Sequence, residues 1–237
     1  MPRPDRREND QIRALHSILG LLNRVDGSAQ FSAGSTSVYC GVYGPVDVKV
    51  YDEKLDRAVI EVKFRPAAGV SGTKDRWVES AVRGTFEREI LAQMHPRTLI
   101  QINIQAREDD GSADAAAINA TTMALVDAGV PLRDMVAAAS CAVLADGAAV
   151  VDPTLEEAAA AQSVHTFAFA GSDIGRAGSG GASGSTSPVY VDSRGDFSVA
   201  DYDRCYDLCL RSAQRVLAFM RTAIEGKIAK ESQISVV

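Results

Sequence analysis

The segment from Ala115 to Ala128, AAAINATTMALVDA, constrains the fold more than any other part of this chain. Asp127 is its one charged residue. Small and apolar residues on every side of a helix require burial on every side. Gly129 supplies a left-handed stop and Pro131 prevents continuation. The remaining sequence must therefore supply a core around this helix. At 237 residues the chain suits one large domain, or two small halves sharing a core. Its 46% hydrophobic and 24% charged content is ordinary for a globular protein.

Strand signals surround the helix. After the turn signal Asp26-Gly27-Ser28, Ala29 to Tyr43 is strand-like, and Gly44-Pro45 punctuates it. Val46, Val48 and Val50 then alternate with Asp47 and Lys49. Ala58 to Phe64 alternates with a polar face of Glu61, Lys63 and Arg65, and Leu99 to Ala106 with Ile100, Ile102 and Ile104. Between these two runs, Lys74 to Met94 predicts a helix with an apolar stripe of Trp77, Ala81, Ile90, Leu91 and Met94. Val136 to Leu144, Ala148 to Val151, Val164 to Ala170 and Pro188 to Asp192 predict further strands. Gly171 to Ser187 reads as a flexible Gly/Ser loop. A last helix spans Val199 to Ile228. Strands, two internal helices, more strands and a long terminal helix make an α+β fold.

Charge is uneven. Net charge is −6, which argues against the whole surface attracting nucleic acid. Yet Lys54 to Arg107 holds ten basic against six acidic residues, and Glu108 to Gln162 one basic against ten acidic. A basic face for polyanions follows as an expectation. No apolar run reaches the roughly 18 residues needed to span a bilayer, so no membrane association is expected. The charged start, MPRPDRRENDQIR, lacks a signal-peptide core, which points to an intracellular location.

The candidate chemistry begins at residues 110–120, DGSADAAAINA. A Gly-Ser turn feeding a helix N-terminus offers free N–H groups and a favourable dipole to an anion. The side chain placed there is a carboxylate, Asp114, with Glu108, Asp109 and Asp110 upstream. Phosphate would meet like charges instead of an Arg fork. Asp152, before Pro153, together with Glu156 and Glu157 one turn on, could hold a divalent metal with Asp114 if the fold gathers them. Glu156-Glu157 equally suits a helix N-terminus. Lys74, Arg76 and Arg83 follow a loop of small residues and suit phosphodiester contacts, although Glu79 and Glu87 are spaced to pair with Arg83. His16, His95 and His165 carry no motif, and Cys40, Cys141, Cys205 and Cys209 lack metal-ligand spacing. Buried thiols are expected.

Taken in order, these segments resemble the ribonuclease PH family over about residues 20–225. The resemblance rests on Asp26-Gly27-Ser28 through Thr36-Ser37-Val38, Asp110 to Ala120, Ala124 to Pro131, and Val151-Asp152-Pro153. Within the family, DGSAQF, VYGPVDVK, FRPAAG, HPRT and ALVDAGVPL look most like eukaryotic RNA exosome ring subunits. The resemblance implies a ribonuclease PH fold of two βαβ-like halves, with residues 1–19 and 229–237 as polar tails. It implies a six-membered ring of such subunits around an RNA channel, with cap subunits and an associated catalytic nuclease as partners. A nuclear and nucleolar, and also cytoplasmic, location goes with it, as does a part in ribosomal-RNA maturation and messenger-RNA turnover. Active members attack RNA from its 3′ end with phosphate. Their phosphate-binding Arg falls at Asp114, and their two catalytic Asp positions fall at Asp152 and Ala158, with Glu157 beside the latter. Lys74, Arg76 and Arg83 match the segment that holds RNA phosphates. The resemblance thus implies an inactive, cofactor-free subunit that lines the RNA path. The residues alone leave a second reading open, a metal-dependent nuclease using Asp152 and Glu157.

Overall fold

The structure, a computed structural model, describes residues 3, 5–172, 174 and 187–234. Its centre is helix α2 (Ala113–Asp127), in which every residue from Ala115 to Leu125 is buried. Strands of one sheet cover one side of it and strands of a second sheet the other. This is the enclosure that its lack of charge demands.

The first sheet contains β1 (Leu15–Leu19), β2 (Gly27–Ala33), β3 (Thr36–Asp47), β4 (Val59–Arg65) and β5 (Thr98–Glu108), in the order β1-β2-β3-β5-β4. Only β4 and β5 run parallel, with Val62 opposite Ile102. Helix α1 (Thr73–Glu89) makes the crossover that a parallel pair needs. The second sheet contains β6 (Val136–Leu144), β7 (Ala149–Val151), β8 (Ala161–Ala170) and β9 (Tyr190–Gly195), in the antiparallel order β7-β6-β8-β9. Short helix α3 (Leu155–Ala160) links β7 to β8, which flank β6 as a split βαβ unit. The terminal helix α4 (Val199–Ile234) buries Cys205, Cys209, Ala213, Val216, Leu217 and Met220, mainly against the second sheet.

The architecture is the expected one, with several local corrections. Residues 1–19 are not simply a polar tail. Leu15–Leu19 pairs with β2, Leu15 opposite Ala33, and Arg3 and Arg13 are buried. Residues 229–234, expected as part of a C-terminal tail, continue the terminal helix. Ala29 to Tyr43 is a hairpin, folded at Gly34 with φ 58°, where glycine is favoured. The alternation around Val48 forms no strand: β3 ends at Asp47 and Val50 is 88% exposed. On α1 the buried stripe lies one residue along from the expected one, at Val78, Val82 and Phe86. Trp77 points outward. The expected Gly171–Ser187 loop lies almost wholly outside the described residues.

Asp26-Gly27-Ser28 also does more than turn the chain. A Cβ at Gly27 would sit 2.2 Å from the Ala128 nitrogen, so only glycine lets β2 approach the end of α2 this closely. Ser28 N–H donates to Asp127 at 2.9 Å and Gly44 N–H to Asp26 at 2.8 Å. Asp127, the one charge of the helix beyond its first turn, is thereby tied to β2, and Lys227 of α4 pairs with it as well.

Candidate functional site

The loop from β5 into α2 places the helix N-terminus against the β7–α3 connection. Gly111 has φ 85°, and a Cβ there would lie 2.5 Å from the Pro153 oxygen. Ser112 also has a positive φ, 58°, and its hydroxyl donates to the same oxygen at 3.2 Å. The close approach leaves a cleft of about 440 Å³ between the two halves. Its charged walls are Lys74 from α1, Asp109 and Asp114 from the α2 entry, and Asp192 and Arg194 from β9; Ala158 of α3 also lines it.

Asp114 sits in the first turn of α2, where an incoming anion would bind. Arg194 Nη2 lies 3.3 Å from its Oδ2, and 2.7 Å from Asp192 Oδ2. One guanidinium thus serves two carboxylates. Burial is the main cause holding the Asp114 carboxyl above its ordinary value; Asp192 and Asp109 push the same way, and Arg194 opposes them. With Asp75 counted, four carboxylates face two cations here. A phosphate entering this cleft meets net negative charge.

The sequence-predicted acids separate into two groups. Asp114 and Ala158 face the cleft; Asp152 and Glu157 do not. Asp152 is held behind the cleft with φ 50°. Arg13 forks onto it, with Nε 2.9 Å from Oδ2 and Nη2 2.7 Å from Oδ1, and Arg13 backbone N–H donates to Oδ2 at 3.0 Å. The same guanidinium donates to Thr36 Oγ1, Asp110 O and Gly111 O. It therefore ties the first sheet, the α2 entry and the end of β7 together.

Glu157 is held in the same manner. Arg3 Nε and Nη2 lie 2.8 and 2.9 Å from its two oxygens. Thr154 and Glu157 complete a reciprocal capping box on α3. Burial raises the Glu157 carboxyl, but Arg3 and the Thr154 N–H more than offset it, leaving it below the ordinary range. The stability it adds is present above the usual glutamate pKa and is lost as pH falls through the folded value. Glu157 and Ala158 are neighbours in sequence, but successive helical residues point about 100° apart. The glutamate cannot serve at position 158 from there.

These pairings count against the metal-nuclease reading. Both oxygens of Asp152 and both of Glu157 are taken by guanidinium groups, and Asp114 pairs with Arg194 instead of joining them. Among the described residues no group of three or more His, Cys, Asp or Glu gathers to hold a metal. Glu156 remains exposed on α3.

Of the basic candidates, Lys74 lines the cleft, whereas Arg76 and Arg83 lie exposed along α1. The expected ion pairs of Arg83 do not form among the described residues; Glu79 instead accepts the Phe64 N–H at 2.9 Å. Arg194 and Asp192 escaped sequence reasoning. They stand two residues apart on one face of β9, and that period-two spacing was the signal for them. One histidine takes a structural place. His165 is buried in β8, with Ser163 and Ser193 hydroxyls on its two ring nitrogens at 3.0 and 2.8 Å. All four cysteines are buried and free.

Comparison with known proteins agrees with this architecture. Residues 11–131 match domain 1 of the 3′ exoribonuclease family RNase PH, and residues 134–188 match domain 2. Exosome complex component RRP46 of Saccharomyces cerevisiae is 31% identical over 219 residues, 89% of this chain and 95% of that protein. Exosome complex component rrp46 of Schizosaccharomyces pombe is 44% identical over 124 residues, 52% of this chain and 55% of that protein. The crystal structure of rice (Oryza sativa) Rrp46 superimposes with a TM-score of 0.85 at 30% identity, covering 94% of this chain and 100% of that one. The chain belongs to the RNase PH family of 3′ exoribonucleases.

Proposed function

We propose that this chain is a non-catalytic subunit of an RNA exosome core ring that lines part of the RNA path and supports 3′-to-5′ RNA processing and decay by the assembled complex. One observation carries the proposal. The family skeleton is complete, yet the anion-binding end of its cleft presents Asp114, and the acids at 152 and 157 serve as anchors for Arg13 and Arg3. Relatives named as exosome complex components support the assembly. In this reading the partners are other RNase PH-like subunits of a six-membered ring, cap subunits, an associated nuclease and RNA. Edge strands β1, β4, β7 and β9 offer backbone groups for pairing. A nuclear and nucleolar, and also cytoplasmic, place of action accompanies this role.

Lys74 and Arg76 are the cations placed to follow the strand. Charge reversal at both, in the reconstituted ring, is expected to weaken RNA binding and to flatten the log–log salt slope by about 1 for each phosphate no longer neutralised. Filter binding between low and physiological salt measures this. An unchanged slope would show that neither side chain faces the RNA.

A further inference from the structure

Trp77 is the chain's one tryptophan, and it is 56% exposed on α1, although its sequence spacing fits the core stripe. Leaving so large an apolar ring in water forgoes the stabilisation that burial would give. Its position is specific. It follows Lys74 at i+3, so the two share a helix face, and Lys74 lines the cleft. Helix α1 also packs against β9, the strand that carries Asp192 and Arg194 into the same cleft. The indole therefore stands beside Lys74, next to the cleft.

Its exposed neighbours on that helix face are Thr73, Lys74 and Ser80, and Arg76 is exposed on the adjoining face. Among the described residues neither Lys74 nor Arg76 makes an ion pair. Leu155 is also exposed in the cleft, but the indole itself is flanked by hydroxyls and cations, a poor match for a protein partner's apolar surface. A single-stranded nucleic acid fits better: phosphates follow the free cations, and a base, whatever its identity, lies on a π-face.

We propose that Trp77 is a base-stacking residue for single-stranded RNA at the mouth of the cleft, accompanied by the phosphate contacts of Lys74 and Arg76. The proposal rests on the RNA-path reading above and adds a contact that is independent of charge.

A chain with one tryptophan permits a selective test. 5-Fluorotryptophan is incorporated into this subunit alone, and the labelled protein is assembled into the ring with unlabelled partners. Adding single-stranded oligoadenylate is expected to shift the fluorine resonance, and an abasic phosphodiester of equal length is expected not to. Trp77→Ala should weaken oligoadenylate binding by about 5- to 100-fold with an unchanged salt slope, and Trp77→Phe should retain part of the affinity. An equal response to the abasic strand would overturn the stacking role. So would a fluorine signal that changes on ring assembly and then ignores RNA, which would mark a subunit contact. If Trp77→Ala is silent while Lys74/Arg76 reversal flattens the salt slope, stacking fails and the RNA-path reading survives. If both are silent, the RNA-path reading itself fails.

Discussion

Replacing Arg13 with alanine is expected to destabilise the protein by about 3–5 kcal/mol, the usual effect of removing one partner from a buried ion pair. At this chain length that is a fall in melting temperature of about 6–20 °C. Arg13 is 7% exposed and Asp152 8%. The guanidinium occupies both carboxylate oxygens, Thr36 Oγ1 on β3 and two carbonyls of the β5–α2 loop. Its loss leaves a buried carboxylate without its fork and takes a donor from two loop carbonyls, of which that of Gly111 keeps the Thr36 hydroxyl. Lysine should restore little, since an ammonium cannot reproduce the planar two-point contact. The double variant Arg13→Ala/Asp152→Ala should lose clearly less than the sum of the two singles, because the partners act as one unit. Urea unfolding of the four proteins provides the cycle. A loss below about 1 kcal/mol for Arg13→Ala would mean that Asp152 is not held in this way.

Arginine in place of Asp114 is expected to strengthen inorganic phosphate binding by about 10- to 100-fold, as a charge-assisted pair of hydrogen bonds is gained. Three changes act together. A carboxylate leaves the helix N-terminus, a fork arrives there, and Arg194 is released from one of its two acidic neighbours. Isothermal titration with phosphate measures the gain. The variant should still release no nucleoside diphosphates, because position 158 carries a methyl group where a second acid would be needed. Phosphate binding no tighter than in the unmodified chain would show that the α2 N-terminus is not the anion seat.

The sequence made the fold's frame legible where its cause is local. The uncharged middle of α2, the alternating β4 and β5 and the glycine stop at 129 each followed from neighbouring residues. What sequence missed depends on distant partners. Leu15–Leu19 alternates only weakly and becomes a strand because β2 lies beside it. Val46 to Val50 alternates well but lacks a partner beyond Asp47. On α1, Trp77 and Ala81 have the same four-residue spacing as Val78, Val82 and Phe86; the sheet beneath decides between the two stripes.

The site divides along the same line. Asp114 was legible because a Gly-Ser turn before a helix has one chemistry. Its companion Arg194 lies 80 residues away and is brought in by β9. Asp152 and Glu157 were recognisable as acids, but their roles depend on Arg13 and Arg3, 139 and 154 residues distant. No local pattern distinguishes an acid aimed at a substrate from one that anchors an arginine.

If this cleft has kept its structural place but lost the use of phosphate as a nucleophile, its chemistry can be assayed in isolation from every other nuclease. The chain is placed in a reconstituted complex whose remaining nuclease sites are inactivated, 3′-labelled RNA and phosphate are supplied, and nucleoside diphosphate release is measured. No release above the RNA-only control is predicted. Release that depends on phosphate and disappears on mutating the cleft residues of this chain would show that the cleft is a working phosphorolytic site.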